Sequence, residues 1–214
     1  INEHQLNRFK EQWGHRLPHT RLYTDYREML DKEKPDLLSV VTGDHVHAQI
    51  VVDGAQAGVK GIFCEKPIAT TLADADRMIE ACRVRGIPLL IDHTRRWWPE
   101  FVQVRKLLRE GAIGKIHSVV ATAMGPRAML FRNGTHLIDT MCYFIDSDPE
   151  WVMAQLEDAH RDHPPRYAGD GGKDPAKDPA ASAYIHFQNG VRGFVNMAKS
   201  SLSGSTWEVF GETG

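Results

Sequence analysis

Three short apolar runs, at 37–42, 61–64 and 88–91, alternate with segments of helical periodicity, and this alternation limits the fold more than any other feature of the chain. Each run is too short for a buried helix and reads as a strand, the first of them as a central one. Between the runs, a helix is expected from about 47 to 58. Another opens on a capping box of Thr71 and Asp74, buries Ala75, Met78, Ile79 and Cys82, and ends at Gly86. Upstream, Leu6, Phe9 and Trp13 share the face of a helix that stops at Gly14. Tyr26, Met29 and Leu30 line a second helix, starting near Asp25 and stopped by Pro35. The β-α-β-α-β order implies a parallel sheet with right-handed crossovers, hence an α/β, doubly wound first domain covering residues 1–114.

The pattern changes near Gly114. Pro99 opens a helix with Phe101, Val104 and Leu108 on one face, closed by Gly111. Strand-like runs follow at 115–123, 151–156, 182–188, 191–197 and 205–210, with one clear helix among them at about 136–145. Asn189-Gly190 predicts a hairpin through a tight primed turn, because such turns need positive φ values. Residues 115–214 are therefore expected to form a second, α+β domain with a mainly antiparallel sheet. The stretch 160–181, rich in Pro, Gly, Asp and Lys, reads as a mobile loop.

Composition excludes several classes of partner. A formal charge of −2 gives no reason to expect nucleic acid or an anionic membrane. No apolar run reaches membrane-spanning length. Cys64, Cys82 and Cys142 lie far apart without metal-ligand or redox spacing, so they read as reduced core thiols of a cytoplasmic protein.

Polar groups gather at the three strand ends: Thr42-Gly43-Asp44-His45-Val46-His47, Glu65-Lys66-Pro67 and Asp92-His93-Thr94-Arg95-Arg96-Trp97-Trp98. Ligands of open α/β sheets bind beyond the carboxyl ends of the strands, so these segments describe the rim of one cleft. Lys66 is the leading candidate for proton transfer, since partial burial disfavours its charged form. An ordinary surface Glu-Lys pair is the plain alternative. Pro67 restricts Lys66 to extended geometry and makes a cis bond affordable. Gly43 permits close backbone approach and Thr42 offers a hydroxyl, whereas His47 reads first as a helix-start residue with a capping or surface role. Arg95 and Arg96 are solvated charge or anion and sugar contacts, and Trp97 is packing or a stacking platform. In the second domain, His136 and Asp139 stand one turn apart on a helix and are able to meet, in which case the carboxylate would fix the imidazole tautomer and favour its protonated form; taken alone, a helix-capping His136 with a solvated Asp139 is the plainer reading. His45, His47, His93 and His136 give no compact metal-ligand set, which disfavours a metal hydrolase.

Taken in order, these segments resemble the Gfo/Idh/MocA oxidoreductases, a group that includes glucose-fructose oxidoreductase and inositol dehydrogenase. The residues that carry the resemblance are Thr42 to His47, Glu65-Lys66-Pro67, Arg95 to Trp97, the Gly111-Ala112-Ile113-Gly114 turn, and Gly134-x-His136-x-x-Asp139. The resemblance implies an incomplete Rossmann-type domain binding NAD or NADP and a second domain binding a polyol, sugar, cyclitol or sugar acid. Lys66 and His136 would carry the proton chemistry. Thr42, Gly43, His47, Glu65, Lys66, Pro67 and Arg95 would meet the cofactor, and Arg96, Trp97, Arg132 and Asp139 the substrate, with no metal. Copies are expected to associate through the second sheet. NAD-dependent glycoside cleavage and a non-catalytic ligand-binding role are the alternatives. Two features depart from the family pattern. The Gly-x-Gly-x-x-Gly turn is absent, so the chain is expected to be a fragment truncated at both ends. Inositol-type dehydrogenases carry Asp four residues before the motif His, where this chain has Arg132, expected to lie beside His136 and to bind an anionic substrate.

Overall fold

The computed structural model describes residues 3–160, 162 and 174–214. Two helices lead the chain, α1 (Glu3–Trp13) and α2 (Tyr26–Glu33). Asp25 caps α2 by accepting the Arg27 amide at 2.8 Å, and Lys34 ends it in left-handed geometry just before Pro35. Strands β1 (Leu37–Val40), β2 (Gly61–Glu65) and β3 (Leu89–Asp92) then form a parallel sheet, linked by α3 (His47–Ala57) and α4 (Leu72–Arg83). The register pairs Val40 with Cys64 and Glu65 with Asp92, so the strands deliver their carboxyl ends to one rim.

Alternation decides what the sheet buries. Leu38, Val40, Ile62 and Cys64 pack with Val51 and Ala55 of α3 and Met78 of α4 in one core. Leu37, Val41 and Leu90 are exposed. Two expectations need correction here. Among the described residues β1 is an edge strand, not a central one, because only β2 hydrogen-bonds to it. Ile79 is half exposed although Ala75, Met78 and Cys82 of the same helix are buried. The helix buries a stripe too narrow to include it. The capping box at Thr71 forms, with its hydroxyl accepting the Asp74 amide at 3.1 Å.

Helix α5 (Pro99–Arg109) joins the two sheets. Its Phe101 stacks on Phe144 at 6.0 Å and meets Trp207 edge-on at 5.5 Å, while Arg105 and Arg109 bind the Asp146 carboxylate. The second sheet comprises β4 (Ile116–Met124), β5 (Pro149–Leu156), β6 (Ala181–Phe187), β7 (Arg192–Ala198) and β8 (Gly204–Gly211), in the order β5-β6-β7-β4-β8. Only β4 and β7 run parallel among its pairings. Helix α6 (Thr135–Ile145) covers one face, placing Leu137, Met141 and Ile145 against Val119, Ile185, Phe187 and Val195. Trp151, Met153, Phe194 and Phe210 are exposed on the other.

The hairpin at Asn189-Gly190 forms, but its turn is not primed. Only Gly190 has positive φ, at 82°. Gly190 N donates to Phe187 O at 2.8 Å and Phe187 N to Val191 O at 3.0 Å, the pattern of a three-residue loop with a glycine bulge. Asn189 instead uses its side chain, accepting the Val191 amide at 3.2 Å and reaching Ile145 O. The loop expected at 160–181 lies largely outside the described residues. Its described end contains a short turn (Pro175–Lys177) capped by Asp174, then Asp178, which is 1% exposed.

Helix α6 approaches β7 closely at Gly193, where an added Cβ would lie 2.5 Å from Met141 Sδ and 2.9 Å from Phe187. Gly193→Ala should therefore lower stability by about 1–3 kcal/mol through overpacking. Urea unfolding would show it, and an unchanged midpoint would mean that Met141 moves aside without cost.

Candidate functional site

The cleft is assembled around one irregular turn. Residues Leu130–Gly134 wind as a π-helical turn into α6. The buried Asp178 carboxylate fixes this turn by accepting the amides of Phe131 at 3.0 Å and Arg132 at 3.2 Å. Burial raises the pKa of Asp178 despite these two donors. Across the cleft, Lys66 directly follows β2 and donates from Nζ to the Arg132 carbonyl at 2.8 Å. Its own amide is held by the Glu65 carboxylate at 3.1 Å, and the Lys66–Pro67 bond is cis. Burial lowers the Lys66 pKa, and the Arg132 charge lowers it further.

Arg132 does not do what was expected of it. Its guanidinium points to the first domain, where Nη1 meets Asp44 Oδ2 at 3.1 Å. Asp44 is 3% exposed, so this ion pair bridges the two halves in a largely dry setting. Arg132 is also not among the charges that most disturb His136. The anion-binding role assigned to it is therefore corrected: a buried carboxylate of the chain itself already occupies the guanidinium.

His47 is corrected as well. It is fully buried, with Nδ1 3.0 Å from Pro67 O and Nε2 3.2 Å from Thr42 O. Both partners are carbonyl acceptors, so a ring nitrogen that carries a proton donates to the one it faces. The side chain braces Thr42 and Pro67 from behind and offers no surface to a cofactor or metal. Thr42 itself is exposed at the tip of β1. Gly43 leaves room for the His45 ring, which an added Cβ would approach to 2.8 Å.

Asp139 and His136 do not pair. Arg96 takes both Asp139 oxygens in a fork of 2.8–3.1 Å, a better match to a carboxylate than one imidazole nitrogen. The expected protonated His136 is thus overturned. Its pKa falls to about 4, chiefly through burial and then through the charges of Lys66, Arg95 and His93, so the ring is neutral at pH 7. Its Nδ1 is buried without a hydrogen-bond partner. Arg96 and Asp139, expected to bind substrate, satisfy each other instead, and Trp97 is 63% exposed. Arg95, expected at the cofactor, lies over the Trp207 ring at 4.6 Å and turns to the second domain.

A cavity of about 580 Å³ opens there, lined by Arg95, Arg127, Asn133, His136, Ser203 and Ser205 among others. Of the polar groups nearby, His93 was read only as part of the strand-end rim, and Arg127 and Asp178 escaped the sequence reading. His93 packs edge-on to His136 at 6.1 Å, with Nδ1 3.7 Å from Asp139 Oδ2; its strand-end position was the available signal. Arg127 and Asp178 sit in loops with no local signature. Among the described residues no group of three or more His, Cys, Asp or Glu side chains is placed to hold a metal.

The site thus joins a lysine of lowered pKa and a neutral histidine, the latter lining a cavity formed mainly by the second domain and closed by Arg95 of the first. Comparison with known proteins agrees with that architecture. Residues 1–93 match the model of the oxidoreductase family with an NAD-binding Rossmann fold, and residues 101–214 match the GFO/IDH/MocA C-terminal domain. The chain belongs to the GFO/IDH/MocA family. Myo-inositol 2-dehydrogenase of Thermotoga maritima is 26% identical over 220 residues, an alignment covering all of this chain and 64% of that protein. D-apiose dehydrogenase of Paraburkholderia graminis is 45% identical over 94 residues, which is 44% of this chain and 25% of the relative. Among solved structures, one described as a probable dehydrogenase from Thermotoga maritima superposes with a TM-score of 0.80 at 26% identity, covering 100% of this chain and 64% of its own. The chain therefore spans less than two thirds of the length of these family members.

Two measurements test this geometry. Removing either partner of the Arg132–Asp44 pair leaves a poorly solvated charge, so Arg132→Gln and Asp44→Asn should each cost about 2 kcal/mol or more. The double substitution should cost clearly less than their sum, and strict additivity in a double-mutant cycle would dissolve the proposed bridge. The second concerns pH. Because the pKa of His136 drops from 6.5 to about 4 on folding, the unfolded chain binds a proton between those values that the folded chain refuses. His93, lowered mainly by burial, acts in the same direction. Stability should fall as pH is lowered from about 6.5 to about 4, and His136→Gln should flatten that fall in urea titrations at pH 7 and 5. An unaltered slope in the variant would assign the effect elsewhere.

Proposed function

We propose that the full-length protein is an NAD(P)-dependent oxidoreductase acting on a CH–OH group of a sugar, cyclitol or sugar acid. Residues 1–114 would serve the cofactor and residues 115–214 the substrate. The observation that carries this reading is Lys66 at the parallel-sheet rim, bonded through Nζ to the turn that introduces His136. The rim suits the reactive end of a dinucleotide: Thr42 stands exposed, and the Glu65–Lys66–Pro67 segment is fixed by Glu65 and His47. A bound nicotinamide supplies the hydride acceptor.

The chain's own groups then have one proton to move. Lys66 Nζ, with its pKa lowered, accepts the substrate hydroxyl proton, and the Arg132 carbonyl orients the amine. His136, neutral and lining the cavity, offers its ring to the same substrate. Arg96 and Asp139 lock each other and thereby fix the 3-10 turn after β3 (Thr94–Trp97) against α6. In this reading copies of the protein meet through the open face bearing Trp151, Phe194 and Phe210. The compartment is a reducing cytoplasm, in keeping with three unpaired cysteines.

The test is Lys66→Met in the full-length protein. It should leave NAD(P) affinity nearly intact while lowering kcat by about 10²-fold or more, as loss of a general base does. NAD(P)H formation with a panel of polyols, sugars and sugar acids would measure this. Equal turnover in both proteins would reject Lys66 as the base, and no turnover in either would favour a ligand-binding role.

A further inference from the structure

The cavity beside His136 has an uneven charge. Its lining includes Arg95 and Arg127 but no Asp or Glu. Arg95 has no ion-pair partner in direct contact: it meets the Trp207 ring and the Ser205 hydroxyl at 3.5 Å, and Asp139, whose charge it feels, is already held by Arg96. Among the described residues the Arg127 guanidinium has no hydrogen-bond or ion-pair partner. The other cations near the site are compensated: Arg96 by Asp139, and Arg132 by Asp44.

Arg127 is not a stray surface residue. Its segment is a closed turn, with Ala128 N donating to Gly125 O at 3.0 Å, and Asn133 Nδ2 donating to the Arg127 carbonyl at 2.7 Å. That second bond ties the arginine to the turn entering α6. Gly125, at φ 143°, lies so close to Ser203 that an added Cβ would sit 3.0 Å from its Oγ, which brings the two loops flanking the cavity together. The positive charge is felt at the reacting groups. Arg127 and Arg132 both lower the pKa of Lys66, and Arg95 and Lys66 lower that of His136.

We propose that this cavity receives an anionic sugar, its carboxylate or phosphate held between Arg95 and Arg127 while a hydroxyl-bearing carbon faces Lys66 and His136. The proposal rests on the oxidoreductase reading for what happens to that carbon, but the anion site itself does not. An anion here offsets the repulsion among uncompensated cations, and two guanidinium groups suit the oxygen pairs of either anion. A neutral polyol would leave both arginines without a counter-charge. The acidic substrate suggested by Arg132 is thus recovered at a different residue.

Calorimetric titration of the full-length protein, loaded with NAD, would use D-gluconate, D-glucuronate, D-glucose 6-phosphate, D-glucose and myo-inositol as probes. At least one anion should bind about tenfold or more tightly than D-glucose. A preference for the acids identifies a carboxylate, and a preference for the phosphate ester identifies a phosphoryl group. Arg127→Gln should reduce the anion-to-glucose preference about tenfold, and Arg127→Lys should keep part of it. Because Arg127 is exposed on a loop, an unchanged thermal midpoint serves as the folding control. The proposal fails if no anion is preferred over D-glucose, or if Arg127→Gln weakens D-glucose and the anions by the same factor. Arg127-dependent anion binding without NADH formation from any probe would sink the oxidoreductase reading and leave the anion site standing. Oxidation of D-glucose or myo-inositol with no anion preference would do the reverse.

Discussion

The turn at 130–134 is where the two halves of the molecule are fastened, and the geometry of the cleft depends on it. Asp178 holds its amides from the side of the second sheet. From the other side, Lys66 takes its carbonyl and Asp44 takes the Arg132 guanidinium. His47 then links the loops after β1 and β2 through Thr42 and Pro67. These contacts form one polar chain through largely buried surroundings, where an unmet donor or charge is costly and each bond is worth more than in water. The turn is π-helical because its widened backbone presents the Arg132 carbonyl to the cleft while its amides face Asp178.

Charge is divided across the cleft. The rim of the parallel sheet carries Asp44, Glu65 and Asp92, and burial beside Glu65 raises the pKa of Asp92. The opposite wall carries Arg95 and Arg127. Lys66 stands between the two and is drawn in both directions, though burial and the arginines prevail. His136, on the positive side, loses its proton readily for the same reason. Burial is the main cause for both groups and neighbouring positive charge adds to it, so a substrate that alters either on entering alters both together.

What was legible in the sequence was local. Apolar runs gave the strands, Thr71 and Asp25 gave the caps, and Glu65-Lys66-Pro67 placed a lysine at a strand end, because each depends on neighbours within a few residues. What failed were predictions of partnership between distant elements. Helical spacing brings His136 and Asp139 within reach of each other, but it says nothing of Arg96, which arrives from another element and binds the carboxylate in a fork. Arg132 gave no hint of Asp44, 88 positions away. His47 looked like a cap because its burial depends on how the loop after β2 folds over it. Asn-Gly announced a hairpin correctly, yet the choice between a primed turn and a glycine bulge rested on Asn189 finding Ile145 and Ser147 outside the hairpin.

The same distant pairing bears on how an arginine is tolerated at a position where the resemblance to inositol dehydrogenases leads one to expect aspartate. A carboxylate beside Lys66 would stabilise the ammonium and raise its pKa, leaving the lysine a poorer proton acceptor near neutral pH. Here the position supplies a guanidinium already neutralised by Asp44, so Lys66 meets a carbonyl and a residual positive field. Its pKa falls instead of rising. On the proposed reading, an arginine at this position removes one partner for the proton and leaves Lys66 to act as the base, its pKa lowered by burial and then by the Arg132 charge. The cost is greater positive charge in the site, which the protein itself leaves unbalanced at Arg95 and Arg127. On the proposed reading, Arg132 adds to the burial that lowers the lysine's hold on its proton, and an anionic substrate would restore charge balance when it fills the cleft.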